Sequence, residues 1–84
     1  MFVSGRVQGV WFRAETREKA LSLSLSGWVR NLSDGRVEVY AVGPRDMVDR
    51  LIEWCHDGPP LAKVRSVAVT WVEPEGTTGF DVRP

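Results

Sequence analysis

The 84-residue chain has a single cysteine, no long apolar run and no excess of either charge, and each of these features excludes a class of protein. Cys55 is the only cysteine, so the chain cannot close an internal disulfide and needs no oxidising compartment. No apolar run approaches the ~18 residues of a transmembrane helix, and the N-terminus has no apolar segment of the kind found in signal peptides. We therefore expect a cytoplasmic protein with no membrane partner.

Neither sign of charge is in excess, because 11 lysines and arginines balance 11 aspartates and glutamates. Nucleic-acid-binding domains usually carry a basic excess, so we predict no nucleic-acid partner and only local anion binding. One histidine and one cysteine cannot supply a structural zinc site, and neither a metal nor another cofactor is predicted. No apolar stripe is left over for a second subunit, so the expected state is a monomer.

Hydrophobic periodicity predicts one α+β domain over residues 1–84. Two helices are predicted from apolar residues that share one helical face: Phe12, Thr16, Ala20 and Leu23 in a helix from Phe12 to Leu23, and Val48, Leu51, Ile52 and Cys55 in a helix that begins at Gly43-Pro44. Strands are predicted at 2–4, 28–32, 36–42, 64–72 and 80–83, with a hairpin at Asn31–Gly35. This order predicts a ferredoxin-like (split βαβ) sandwich, an antiparallel sheet of four to five strands with two helices on one face.

A cationic, glycine-jointed loop is predicted between the first strand and the first helix. Residues 4–13 read SGRVQGVWFR, and the first acidic residue of the chain is Glu15. Gly5 and Gly9 allow backbone amides to turn toward one point, and such amides beside a helix N-terminus form an anion site. Arg13 lies on the unfavourable side of the helix dipole, which is understandable if its planar guanidinium binds two oxygens of a phosphate there.

The simpler alternative is that the two glycines only shape a tight turn and that Arg13 is solvated. The loop does not read as a nucleoside-triphosphate site, because it has neither a Gly-Lys-Ser/Thr ending nor a Gly-x-Gly-x-x-Gly pattern. Asn31, at the end of the second strand, is in isolation better explained as a turn residue.

Two longer motifs favour the anion site, because together they resemble the signatures of the acylphosphatase family. They are SGRVQGVWFR at 4–13 and GWVRNLSDGRVEV at 27–39, in the expected order and separation. The similarity extends to Thr16, Ala20, Gly43-Pro44, the Gly-Pro-Pro at 58–60 and the final Thr-Gly-Phe-x-Val-Arg, so it covers nearly the whole chain. The family's fold is the ferredoxin-like sandwich, in agreement with the periodicity.

The resemblance implies hydrolysis of acyl phosphates to a carboxylate and inorganic phosphate. It assigns phosphate binding to Arg13 and to the backbone amides of Arg6, Val7, Gln8, Gly9 and Val10, and it assigns the attacking water to Asn31. Both Arg13 and Asn31 are catalytic in the family. The residue chemistry agrees, because phosphoryl transfer needs positioning and charge stabilisation, and a carboxylate leaves without a general acid. Asn31 can orient a water because its amide both donates and accepts.

Two other functions are alternatives to hydrolysis. A ferredoxin-like regulatory or RNA-binding module is possible on fold alone, but RNA binding needs aromatic residues on a basic sheet face, and Glu38 and Glu73 accompany the strand aromatics. A domain of a larger carbamoyl-transferring enzyme would be joined to cysteine pairs that this chain lacks.

The remaining reactive and aromatic side chains are read as structural. Cys55 is expected to be a packed core thiol and His56 a solvated residue near a helix end. The tryptophans are expected in or beside the core, except that Trp11 lies in the loop and is a candidate for the substrate entrance. Ser24 departs from the family, which commonly has glycine where the first helix ends. A serine there is expected to cost about 1 kcal/mol or to shift the helix end slightly.

Overall fold

The computed structural model describes every residue from Met1 to Pro84. Two helices and five strands follow one another in the order β1 (Phe2–Arg6), α1 (Phe12–Ser22), β2 (Ser26–Asn31), β3 (Val37–Val42), α2 (Arg45–Asp57), β4 (Lys63–Ala68) and β5 (Phe80–Arg83). No helix of the structure is both long and apolar enough to cross a membrane.

The five strands form one sheet in the order β4-β1-β3-β2-β5. Strands β1 to β4 pair antiparallel, as in the predicted ferredoxin-like α+β sandwich, and that fold is confirmed. The sheet as a whole is mixed, however, because β5 lies parallel to β2, with Gly27 opposite Phe80. The prediction of an antiparallel sheet was therefore wrong at this edge, since the chain crosses from β4 over to the far side of β2 before it forms β5.

Both helices pack on one face of this sheet and touch each other. The predicted face of α1 is buried, including the side chain of Thr16 at 0% exposure. In α2, Val48, Leu51 and Cys55 are buried and Ile52 packs against them. The sheet contributes Val3, Val29, Val37, Val39 and Phe80 to the same core. The core thus lies between one sheet face and two amphipathic helices, as the helical and alternating patterns predict.

Strand β4 is shorter than predicted, because its pairing partner ends. Residues 69–72 continue the alternating pattern, but β1 pairs with β4 only up to Phe2 opposite Ala68. Beyond that point Val69, Trp71 and Val72 are exposed. The prediction that the tryptophans lie in or beside the core holds for Trp28 and Trp54, which are half-buried, and was wrong for Trp71, which is 55% exposed. Trp11, expected in the loop, is 74% exposed.

Gly5 belongs to β1 rather than to the loop that follows. The register of β1 against β4 shifts between Ser4 and Gly5, which marks a bulge. Gly5 has φ +122°, and a Cβ there would collide with the backbone carbonyl of Lys63. The glycine therefore lets two strands approach and bends the end of β1, so that the loop proper runs from Val7 to Trp11.

Helix α1 ends in a Schellman motif with serine at the left-handed position. The amide of Ser24 donates to the carbonyl of Leu21 at 3.0 Å, and that of Leu25 donates to the carbonyl of Ala20 at 2.9 Å. Ser24 has φ +57°, a conformation that favours glycine. The helix therefore terminates with a serine in a conformation that strains it.

Candidate active site

The loop Val7–Trp11 turns its backbone through two left-handed residues, Gly9 at φ +72° and Trp11 at φ +65°. Nothing lies within 4 Å of where a Cβ of Gly9 would be, so this glycine is required by its backbone conformation rather than by crowding. None of the loop's amides donates a hydrogen bond to another backbone group of the chain. The loop therefore presents backbone donors that the protein itself leaves unused.

The first turn of α1 adds further unused donors next to this loop. Trp11 occupies the N-cap position without any side-chain hydrogen bond to the helix. The first intrahelical bond runs from the amide of Glu15 to the carbonyl of Trp11, at 3.0 Å, so the amides of Phe12, Arg13 and Ala14 have no carbonyl partner. Because no side chain caps this helix start, its free amides and the positive end of its dipole are available to an anion.

Arg13 stands in this first turn as a cation without a partner. It is half-buried, and its guanidinium makes no ion pair and lies over no aromatic ring. The other arginines without such a partner are all exposed to solvent, and they are Arg6, Arg50 and Arg65. Arg13 is therefore the one arginine that is both partly removed from water and uncompensated by the protein.

Asn31 is the last residue of β2 and pairs with Val37 across the hairpin. Its side-chain oxygen Oδ1 is buried and has no hydrogen-bond partner. Buried amide oxygens are rarely left unpaired, and an unmet one costs about 1–3 kcal/mol. This atom is thus an acceptor that folding has placed without a protein donor.

Arg13 and Asn31 line the same cleft, which has a volume of about 330 Å³. Eight residues line the cleft, and they are Val7, Gly9, Trp11, Phe12, Arg13, Ala14, Asn31 and Val82. None of them is acidic, and the lining contains no histidine, cysteine or serine. The cleft therefore combines one cation, one amide side chain and a backbone cradle, a set that can bind an anion and a water but offers no side-chain nucleophile.

Of the site residues suggested by the sequence, four line the cleft, namely Arg13, Asn31, Val7 and Gly9, whereas Arg6, Gln8 and Val10 do not. Four of the five amides expected to contact phosphate belong to the loop Val7–Trp11, whereas Arg6 is the last residue of β1, opposite Lys63. The side chain of Arg6 is exposed.

The side chain of Gln8 makes two contacts beside the cleft that the sequence did not reveal. Its Nε2 donates to the carbonyls of Leu32, at 2.8 Å, and Arg36, at 3.0 Å. Both carbonyls belong to the β2–β3 hairpin, one residue and five residues after Asn31. Gln8 therefore ties the loop with the free amides to the hairpin that carries Asn31.

The other reactive side chains lie away from this cleft. Cys55 is fully buried in the core, as predicted, and burial raises the pKa of its thiol to about 12. His56 is exposed, with Nδ1 2.9 Å from the carbonyl of Ile52. No group of three or more potential metal ligands occurs in the structure. A second, mainly apolar cleft of about 320 Å³ contains neither Arg13 nor Asn31 and lies beside Trp71.

Comparison with known proteins agrees with both the fold and the two motifs. The sequence profile of the acylphosphatase family matches residues 1–82. An acylphosphatase of Trichormus variabilis is 57% identical over 83 residues, which cover 99% of this chain and 82% of that protein.

Solved structures give the same relationship. The acylphosphatase of Bacillus subtilis superimposes with a TM-score of 0.95 at 39% identity and covers 99% of this chain and 93% of its own. The acylphosphatase of Coxiella burnetii does so with a TM-score of 0.95 at 49% identity, over 98% and 86% of the two chains. With the profile match along nearly its whole length, the chain belongs to the acylphosphatase family.

Proposed function

We propose that this chain, an acylphosphate hydrolase by its family, cleaves the carboxyl-phosphate bond with Arg13, Asn31 and a cradle of backbone amides. The observation that carries the proposal is the pairing of an uncompensated guanidinium with an unpartnered buried amide oxygen in one cleft. The phosphoryl group satisfies the cation, and the attacking water satisfies the oxygen.

The phosphoryl group binds between Arg13 and the amides of residues 6–10. The guanidinium holds two phosphate oxygens with its planar fork, while the loop amides and the start of α1 hold the others. These donors are fixed before substrate arrives, so they stabilise the charge that develops in the transition state without rearranging.

Asn31 orients the water. Its Oδ1 accepts a hydrogen bond from the water, whose oxygen attacks phosphorus as the bond from phosphorus to the acyl oxygen breaks. The leaving group departs as a carboxylate and needs no proton. The water's proton passes to a phosphate oxygen of the substrate, because no side chain of the cleft is a base. The products are a carboxylate and inorganic phosphate.

The test is hydrolysis of benzoyl phosphate, followed by ultraviolet absorbance in the presence of a chelator. We expect rapid turnover by the native chain and a loss of at least about 1,000-fold in Arg13→Ala, since one transition-state donor is worth about 10²–10³ and Arg13 also binds the substrate. Arg45→Ala is the matched control, because Arg45 lies in the first turn of α2, away from the cleft. Equal activity of native chain and Arg13→Ala would contradict the assignment.

An inactive native chain that is folded by circular dichroism would favour an anion-binding module without catalysis. The further predictions, that the protein is cytoplasmic and monomeric, binds no nucleic acid and needs no cofactor, rest on the sequence alone. Cell fractionation tests the cytoplasmic location, and sedimentation tests the monomeric state.

A further inference from the structure

The cleft has apolar side chains both at its floor and at its rim, but only those at the rim are exposed to solvent. Val7 and Phe12 are 1% and 2% exposed and form the floor, whereas Trp11 is 74% exposed and Val82 is 41% exposed. Two of the chain's exposed large apolar side chains thus come together at the one cleft that contains Arg13. They come from distant parts of the sequence, the β1–α1 loop and the last strand.

Trp11 holds its exposed position in an unfavourable backbone conformation. A bulky residue at φ +65° is a genuine outlier, whereas a glycine would adopt this conformation without strain. Packing of the indole does not offset this strain, because Trp11 is not part of the hydrophobic core and stacks on no other aromatic ring. Strain of this kind persists at sites of function, and the one feature beside Trp11 with a function is the cleft.

We propose that Trp11, with Val82, binds the acyl part of the substrate and makes the enzyme selective for acyl phosphates with an aromatic or large apolar acyl group. This inference rests on the proposed function, because Arg13 and the amides must hold the phosphoryl end. The polar groups of the cleft are then fully used by phosphate and water, and only the apolar rim is left to contact the acyl group.

The contact predicts a preference with a definite size. Stacking of an aromatic acyl group on the indole, together with the area buried against Val82, favours benzoyl over acetyl phosphate by about tenfold or more in kcat/KM. The gain is specific to the acyl end, so the affinity for inorganic phosphate does not depend on Trp11.

The test compares kcat/KM for benzoyl and acetyl phosphate in the native chain, Trp11→Ala, Trp11→Phe and Val82→Ala. Trp11→Ala is expected to lower the benzoyl-to-acetyl ratio about tenfold, Val82→Ala to lower it about twofold to threefold, and Trp11→Phe to keep most of it. The inhibition constant of inorganic phosphate should stay within about twofold. Trp71→Ala is the control, because Trp71 is also exposed but lies at the other cleft.

Trp11→Gly separates the roles of strain and contact. It should raise the melting temperature, since glycine accepts the left-handed conformation, and it should lower the ratio as much as Trp11→Ala. A ratio unchanged in Trp11→Ala and Trp11→Gly, while the native chain still hydrolyses both substrates, would overturn the inference and leave the proposed function standing.

A binding measurement makes the inference independent of turnover. Phenylphosphonate should bind the native chain about tenfold more tightly than methylphosphonate by calorimetry, and Trp11→Ala should remove that difference. Equal affinities in the native chain would also overturn the inference. Weak binding of both phosphonates and of phosphate, with no hydrolysis, would instead count against the proposed function and remove the basis of the inference.

Discussion

Both helices carry an arginine in their first turn, but the chain surrounds the two side chains differently. Arg45, in α2, donates from Nε to Asp49 Oδ1 at 3.1 Å and lies 4.0 Å from the centroid of the Trp71 ring. Arg13, in α1, has neither an acidic partner nor an aromatic one. One arginine is compensated where it stands, and the other is not.

The backbone around the two arginines differs in the same direction. At the start of α2 the amide of Met47 donates to the carbonyl of Pro44 and to Asp46 Oδ1, at 3.0 and 3.1 Å. The negative charge of Asp46 also interacts favourably with the positive end of the helix dipole. Neither N-cap residue, Trp11 or Pro44, makes a side-chain hydrogen bond, and α1 also has an acidic residue, Glu15, in its first turn. Trp11 is left-handed, however, and the amides of α1 that precede Glu15 donate to no protein group. The difference teaches that the first-turn acidic residue of α2 already accepts from a first-turn amide, whereas α1 leaves its first amides unbonded at the end that faces the cleft.

The largest effect is expected when the fork of Arg13 is replaced by a point charge. Arg13→Lys keeps the charge but cannot bind two phosphate oxygens in one plane, so kcat/KM for benzoyl phosphate should fall about 100-fold to 1,000-fold. Arg45→Lys should stay within about twofold, because its partners are Asp49 and Trp71 rather than substrate. Equal losses in the two variants would remove the functional difference between the helix starts.

A smaller effect, confined to kcat, is expected for Asn31. Asn31→Ala removes the acceptor for water but leaves Arg13 and the loop amides in place, so kcat should fall about 100-fold. The inhibition constant of inorganic phosphate should change by less than about threefold. Full turnover in Asn31→Ala would exclude the water-orienting role, and loss of phosphate affinity at constant kcat would place Asn31 on the phosphate instead.

The side chain of Gln8 should have an intermediate effect on both constants. Gln8→Ala breaks two hydrogen bonds to the hairpin, each worth about 1 kcal/mol, and lets the loop move relative to Asn31. We expect kcat/KM to fall about tenfold to thirtyfold, with a weaker inhibition by phosphate.

A matched variant separates the Gln8 hydrogen bonds from packing. Gln8→Glu has the same shape but cannot donate to the carbonyls of Leu32 and Arg36, so it should lose as much as Gln8→Ala. Native kinetics in Gln8→Glu would show that the hydrogen bonds do not position the loop.

The smallest effect is expected at the other end of α1, where the strained residue, Ser24, does not line the cleft. Ser24→Gly relieves a left-handed serine and should stabilise the chain by about 0.5–1 kcal/mol, raising the melting temperature by roughly 2–8 °C. Turnover should not change. Ser22→Gly, inside the last turn of α1, should lower the melting temperature instead. A lower melting temperature in Ser24→Gly would contradict the assignment of strain to this residue.

Much of the fold could be predicted because its local patterns agree with its packing. The face of α1 that carries Thr16 and the stripe of α2 that ends in Cys55 are both buried. What failed depended on distant partners. The alternating residues after Ala68 lack a strand to pair with, and the direction of β5 is set by its crossing to β2, which no local pattern records.

In the candidate site, too, some residues could be predicted from local motifs, whereas other contacts depend on distant parts of the chain. Arg13 and Asn31 lie in motifs that resemble a family, so the sequence could name them, and the structure brings them into one cleft. The side chain of Gln8 could not be assigned, because its two acceptors lie 24 and 28 residues further along the chain. The exposed rim formed by Trp11 and Val82 likewise joins opposite ends of the sequence and becomes visible only in the folded chain.

The central claim, that an anion belongs at the start of α1 and not at the start of α2, is tested most directly by an amide-resolved NMR titration with inorganic phosphate. We expect the largest chemical-shift changes at the amides of Arg6 to Ala14, smaller ones at Asn31, and none at Asp46 or Met47. Arg13→Ala should abolish them. Shifts of equal size at the two helix starts, or shifts in the loop that persist in Arg13→Ala, would contradict it.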